Sequence, residues 1–560
     1  MILIIKHYLA SLKEREELDA ILPDLLTQMG LNVISKPKRG LQEYGVDVAA
    51  VGNIDGKEEK VYLFSIKAGD LTRSVWDGKS DQSLRQSLTE IQDGYIPNLI
   101  PLEHKDKKIV ICLCFGGEIN AQVEQLVIGY EKQHEQKNIS FERWNGDRLA
   151  KEISTYLLNE DLLPPVYKGL LRKSLSLLDD PEYSFKHFSA LIDKLCDKNG
   201  KKKGWQLTSV RLLNICLRIL FAWARDTGNL EAAYLSAERT LLYAWELSKD
   251  FFSKKSKVAK SIQLTFGSIL QVYQSICDSF ILKILPHAGK KHALSFSVRS
   301  MCELDINLKL FDLLGRIALA GIWSSYWYDM HEDKTSKIAK QQCIRAIKYI
   351  ISSNPALLLP FKEDQTIDIF LALLLLSDDD ANKKDMLLWL NELMTRSILA
   401  YKSHGNYPCT LQSYTQLLEH PKIGNEKYRE NFTAGSVLYP TVALWAAVLQ
   451  DEVLFNAIKK AKSDFFEHCA FQVWYPDDDT EKYLYTNANL HGIVITDVPV
   501  ENNPQDFLKM LWNECDRNKC FDELSAVKCS IWPLTLVACR HYRIPIPIHF
   551  MLPYRDNKSK

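Results

Sequence analysis

Residues 43–69 read EYGVDVAAVGNIDGKEEKVYLFSIKAG. The runs GVDVAAV at 45–51 and VYLFSIKA at 61–68 have the β-branched and aromatic content of strands, and turn-forming Asn, Asp and Gly lie between them. One charge interrupts each run, Asp47 the first and Lys67 the second. The loop Asn53-Ile54-Asp55-Gly56-Lys57 suits a type I turn followed by glycine in the left-handed region, a short hairpin connection with a bulge. With Asn53 paired to Lys57, Asp47 lies opposite Leu63, Gly45 opposite Ser65 and Glu43 opposite Lys67. Alternation then sends Glu43, Asp47, Ser65 and Lys67 to one face and Val46, Val48, Phe64 and Ile66 to the other. The second set buries well, whereas the first is a polar cluster, and burying charge without a partner is costly. A register slip of one residue would exchange the faces.

Working outward, LNVISK at 31–36, KIVICLCFGG at 108–117 and ISFERW at 139–144 supply further strands, the second without alternation, as expected of a strand covered on both sides. Helical spacing covers 11–30, with Leu12, Leu18, Ile21, Leu22, Leu25 and Leu26 on one side and Gly30 at the end. It recurs at about 80–93, opened by Ser80 or Asp81, at 119–133, and from 145 on with Asn145 or Asp147 near the cap. This order predicts an α/β domain with a central mixed sheet between helices. LPPVYKG at 163–169 marks the predicted boundary, giving a first domain over 1–162 and a large, mostly α-helical region over 163–560. Its apolar, aromatic-rich segments break at 198–205, 285–292 and 402–409, the last dividing it near 400, with no steady repeat. The stretch HGIVITDVP near 491 adds a possible strand.

The chain has 560 residues, 46% hydrophobic and 25% charged, the profile of an ordinary globular protein with more than one domain. Lys plus Arg equals Asp plus Glu at 70 each, so net charge names no nucleic-acid partner. The balance is uneven, however: residues 1–164 hold 20 basic and 26 acidic side chains. Polyanion contact by the first part therefore needs a local basic patch. The run MILII meets charge at Lys6 and is too short for a signal peptide, and IDIFLALLLL at 367–376 is too short to span a bilayer. Thirteen scattered cysteines fit reduced thiols, and the whole points to a cytoplasmic chain without membrane contact.

Asp47 and Lys67 have two readings. One is an ion pair at a half-exposed sheet edge, common and worth little. The other is a phosphodiester site, in which carboxylate oxygens hold Mg²⁺, the metal lowers the pKa of a bound water, and a lysine orients the nucleophile or stabilises transition-state charge. The helix at 11–30, KRGLQEYGVD, FSIKAGD, KIVICLCF and FERWNGDRLAKEI, in that order, resemble the restriction-endonuclease-like PD-(D/E)XK superfamily, nearest its Mrr-type branch, over about the first 160 residues. The resemblance implies a metal-dependent DNA endonuclease using Mg²⁺ or Mn²⁺, in a prokaryotic restriction or anti-phage defence setting. It implies Asp47 as the motif aspartate, Lys67 as the motif lysine, and Ile66 as a backbone carbonyl ligand to the metal. Where the family has Glu or Gln, this chain has Ser65, whose short neutral hydroxyl reaches an ion weakly. Glu43 on the predicted polar face and Glu17 on the first helix are the carboxylates that would compensate, each also readable as an ordinary solvated glutamate.

Lys36, Lys38 and Arg39, with Arg73, Lys79 and Arg85, form the candidate phosphate-contacting patch, or scattered solubilising charge. The rival class is a catalytically degenerate module that binds nucleic acid or protein, and phosphodiester chemistry alone leaves RNA open as a substrate. The helical region would sense a trigger, recruit a partner protein or hold a homo-oligomer together. Cys515, Cys520, Cys529 and Cys539 lack the CxxC spacing of a zinc site, and the triplets Asp378–Asp380 and Asp477–Asp479 read as solvated loop tips. No GxxxxGK[ST] loop occurs.

Overall fold

The computed structural model describes residues 2–12, 14–35, 44–54, 56, 58–78, 83–157, 165–198, 204–487, 489, 491–496 and 498–555. The chain divides into two compact units, one of residues 1–240 and 253–272, the other of residues 241–252 and 273–560. This division falls later than the change of sequence character at 163–169.

Unit one is built on a five-stranded sheet in the order β1-β2-β3-β4-β5. The strands are β1 (Asn32–Ser35), β2 (Val48–Gly52), β3 (Lys60–Lys67), β4 (Lys108–Phe115) and β5 (Ile139–Trp144). β1, β2 and β3 pair antiparallel, while β3, β4 and β5 pair parallel, so the sheet is mixed. Seven of the eight residues of β4 are buried, which explains why its sequence carries no alternation.

One face of the sheet, including Ala49, Val51, Leu63, Leu113 and Phe115, packs on Trp76 of α3 (Arg73–Asp77), Leu84 and Leu88 of α4 (Leu84–Glu90), and Val123 and Val127 of α5 (Ala121–His134). On the other, Phe64 meets Trp144 edge to face at 5.1 Å, and Arg148 of α6 (Gly146–Glu152) lies over the Trp144 ring. Asn120 and Asn145 cap α5 and α6 by accepting the Gln122 and Arg148 N–H groups. Ser80 and Asp81, candidate caps for the helix before β4, lie outside the described residues.

The helix read over 11–30 is not uniform: it is a π-helical turn leading into an α-helix, with a separate helix before it. α1 (Ile2–Ser11) is followed by a π-helical turn at Glu14–Leu18 and then α2 (Asp19–Gln28). Beyond the sheet domain, Trp205–Thr227 (α7) is long and apolar enough to cross a membrane, yet 83% of its apolar window is buried inside the protein. Its polar side chains are bonded within unit one: Arg211 to Gln28 of α2 at 2.6 Å, Arg225 to Glu17 at 2.7 Å, and Arg218 to Ser268 at 2.8 Å. It is a core helix packed on α1.

Unit two is mostly helical, around the 29-residue helix Glu303–His331. Two-stranded pairings at 435–436 with 470–471 and at 473–475 with 493–495 complete it, the last including the strand read in HGIVITDVP. Its interior holds an ionic cluster. Asp312 pairs with Arg316 at 2.6 Å and with Arg540; Asp368 pairs with Arg543 at 2.6 Å and with Arg540 at 3.5 Å. Burial works against charge on Asp312, but Arg316, Arg540 and Arg543 outweigh it and hold the carboxyl below the usual range. At Asp368 burial wins, and the carboxyl is pushed up to about 6.

Candidate functional site

The hairpin between β2 and β3 sets the candidate site. Gly56 takes the left-handed conformation expected of it, with φ of +72°. The pairing expected from the loop is corrected: Gly52 faces Lys60 and Val48 faces Phe64, so the register is offset by two residues and the connection spans 53–59. The added length has a visible cause. Glu58 and Glu59 are bonded to Lys108 and Lys107 at 2.8 and 2.7 Å, which draws them toward the start of β4 and out of the β2–β3 ladder.

An offset of two preserves which residues share a face, but a bulge at the start of β2 then alters it. The Asp47 N–H donates to the Phe64 carbonyl at 2.9 Å, the residue that Val48 already faces, so two residues oppose one. Val46 accordingly shares a core with Ala49 and Val51, which strict alternation would forbid. The consequence for Asp47 is specific: its Oδ2 accepts the Ile66 N–H at 2.7 Å. The carboxylate therefore takes the place of a ladder carbonyl between β2 and β3, and does not simply project from the polar face as alternation predicted.

Gly45 holds this arrangement in place. Its φ is +75°, and a Cβ there would sit 2.2 Å from the Ser87 carbonyl oxygen. Gly45→Ala is expected to destabilise unit one by about 2–4 kcal/mol, from the left-handed strain plus the backbone clash, as read by urea unfolding.

Lys67, at the end of β3, is 7% exposed. Among the described residues its ion-pair partner is Glu14, with Nζ to Oε1 at 3.4 Å. Glu17, the first-helix carboxylate put forward from the sequence, is engaged by Arg225. Glu14 sits in the π-helical turn, whose i→i+5 geometry alters the phase between the two glutamates. Two carboxylates are thus bonded to consecutive residues of β3, Asp47 to Ile66 and Glu14 to Lys67.

Ser65 is fully buried, and its Oγ has no hydrogen-bond partner among the described residues. A hydroxyl that makes no bond contributes nothing to offset its desolvation, so Ser65→Ala is expected to leave stability within about 1 kcal/mol of wild type in urea unfolding.

Of the basic candidates, Arg73 is exposed and Arg85 is paired with Asp77 at 3.1 Å. Lys36, Lys38, Arg39 and Lys79 lie outside the described residues, as does Glu43. Lys6 bridges Asp147 at 2.6 Å and Glu118 at 3.3 Å, and Asp70 accepts the Glu118 N–H at 2.9 Å, all local structural bonds. The acidic triplets also serve locally: Asp379 accepts the Ala381 N–H, Asp378 pairs with Lys340, and Asp477 accepts the Asp479 N–H.

Among the described residues, no group of three or more His, Cys, Asp or Glu side chains converges to hold a metal. Mg²⁺ keeps several waters and is commonly held by one or two carboxylates plus substrate phosphate. Asp47 and Glu14 each present carboxylate oxygens of that type, one bonded to the Ile66 N–H and the other to Lys67 Nζ. No protein-family model, curated protein or solved structure matches the chain.

Proposed function

We propose that unit one hydrolyses DNA phosphodiesters with a divalent cation, as the PD-(D/E)XK resemblance of its first 160 residues implies. The observation that supports it best is the pair of carboxylates, Asp47 and Glu14, bonded to the consecutive residues Ile66 and Lys67. In this reading Asp47, and Glu14 in place of the motif carboxylate missing at Ser65, would hold Mg²⁺ or Mn²⁺, with the Ile66 carbonyl as a backbone ligand. The metal, when bound, polarises the phosphate and lowers the pKa of the attacking water. The chain's own contribution is charge and position. The Asp47 bond to the Ile66 N–H fixes one carboxylate against β3, and the Glu14 contact orients the Lys67 ammonium, whose positive charge stabilises the anionic transition state.

A second reading, a nuclease-like module that binds nucleic acid or protein without cutting, draws support from Ser65. This side chain is neutral and fully buried where the resemblance calls for Glu or Gln. The separating experiment incubates the full chain with plasmid DNA, single-stranded DNA and RNA, each with Mg²⁺, Mn²⁺ or EDTA. Metal-dependent cutting that EDTA abolishes supports the enzyme. Retention of DNA in a mobility-shift assay without cutting under any metal supports the second reading. A defence role, and a sensing or oligomerising role for the helical region, are extensions of the enzyme reading.

A further inference from the structure

Unit two contains a cavity of about 170 Å³ between its part of Lys257–Ile284 (α8), the C-terminal part of Glu303–His331 (α9) and the first turns of Lys334–Ser353 (α10). Three aromatic residues wall it, Tyr273 from α8 and Trp323 and Trp327 from α9. Trp323, Trp327 and His331 recur at every fourth residue and so share a face of α9. Their rings stack in series, Trp323 on Trp327 at 6.2 Å and Trp327 on His331 at 5.6 Å, which holds the wall in one arrangement. The hydroxyl of Tyr273 and both indole nitrogens are buried away from open space, so ring carbon is what these residues present to the cavity.

Asp278 of α8 supplies the one charge of the lining. It is exposed at the rim, yet the protein around it strips enough hydration to hold its carboxyl above the ordinary aspartate range. Among the described residues no cation is paired with it. The lysines in the same turns of α10 are engaged elsewhere, Lys337 over the Tyr328 ring at 5.4 Å and Lys340 with Asp378. The N–H groups of Thr335 and Ser336 at the start of α10 are taken by Asp333 at 3.2 and 3.0 Å, as is the Ser336 hydroxyl at 2.9 Å.

These features select a class of ligand. An anion meets the Asp278 charge and finds no opposing cation or free helix start. A small inorganic cation suits Asp278 but gives up its hydration against ring carbon. A primary ammonium or guanidinium brings several N–H donors, more than one carboxylate at the rim satisfies. An alkylated ammonium carries the charge that Asp278 lacks a partner for, has no N–H to leave unpaired, and buries its methyl groups on the aromatic wall, the surroundings that attract such cations. Size agrees, since a cavity of about 150 Å³ holds a benzene ring, a group in the size class of trimethylammonium.

We propose that this cavity binds a quaternary ammonium group, its methyls against Tyr273, Trp323 and Trp327 and its charge balanced by Asp278. Choline-type solutes and trimethylated lysine share that chemistry. The proposal is independent of the cleavage reading of unit one.

The test titrates the full chain with tetramethylammonium, choline and a short peptide carrying trimethyllysine, following tryptophan fluorescence and isothermal calorimetry, with ammonium, guanidinium and inorganic phosphate as controls. At least one quaternary probe is expected to saturate with Kd below about 1 mM, at least about tenfold tighter than any control. Choline binding more tightly than the peptide assigns the source as a small solute, and the reverse assigns it as a modified protein; either result supports the proposal. Asp278→Asn, which removes the charge, and Ala339→Phe, which fills space from the α10 side, are each expected to weaken binding at least about tenfold while the melting temperature stays at the wild-type value. The proposal is overturned if no quaternary probe saturates, if a control binds as tightly, or if binding survives either substitution.

Discussion

Lys67→Met is expected to lower metal-dependent DNA cleavage by about a hundredfold or more, the scale on which removal of one transition-state charge contact usually registers. Methionine keeps the length and apolar stem of a side chain that is 7% exposed, so the loss would report the ammonium and not a collapsed strand end. Asp47→Asn is the companion variant. Its side-chain carbonyl can still accept the Ile66 N–H, preserving the bond while removing the charge a cation requires. Glu14→Gln separates two roles. If Glu14 holds the ion, the metal concentration giving half-maximal cleavage rises about tenfold or more, whereas if it only pairs with Lys67, that concentration is unchanged. Wild-type rates in both Lys67→Met and Asp47→Asn would remove this site from the chemistry.

Glu363→Gln is expected to abolish a pH-dependent loss of stability in unit two worth about 3 kcal/mol. Burial pushes the Glu363 carboxyl up to about 7, against the N–H groups of Val437 and Leu438 that bond it at 2.9 and 3.1 Å. Because the folded-state pKa lies above the unfolded one, protonation favours folding. Its contribution is fully present below the ordinary glutamate pKa and is lost as pH rises to about 7. Glutamine keeps an acceptor for both N–H groups without the buried charge. Chemical denaturation at pH 5 and pH 8 should show wild type losing about 3 kcal/mol relative to the variant across that interval. Equal changes in both proteins would mean that Glu363 is not the titrating group.

The five strands of unit one were readable because their apolar runs are long, rich in β-branched residues and bounded by turn residues. Strands β4 and β5 follow their sequence segments almost residue for residue. The hairpin register was not readable. Which side chains of Asn53–Glu59 enter the ladder depends on Lys107 and Lys108, half a domain away in sequence. The bulge at Asp47 is likewise invisible to a rule of strict alternation. Glu14 escaped notice for a related reason: EREE at 14–17 offers several acids, and a uniform helix gives no ground for sending Glu14 to Lys67 and Glu17 to Arg225.

The ionic cluster of unit two ties together segments far apart in the chain. Arg540 and Arg543 both pair with Asp312 and Asp368, and the Arg543–Asp368 contact spans 175 residues. Arg316 accompanies Asp312 on its own helix, whereas the two arginine partners of Asp368 come from the segment around Pro533–Tyr542. Breaking either of those long-range pairs by substitution would leave a buried carboxyl with less compensation, so the helical core of unit two is fastened across its sequence by charge as well as by apolar packing.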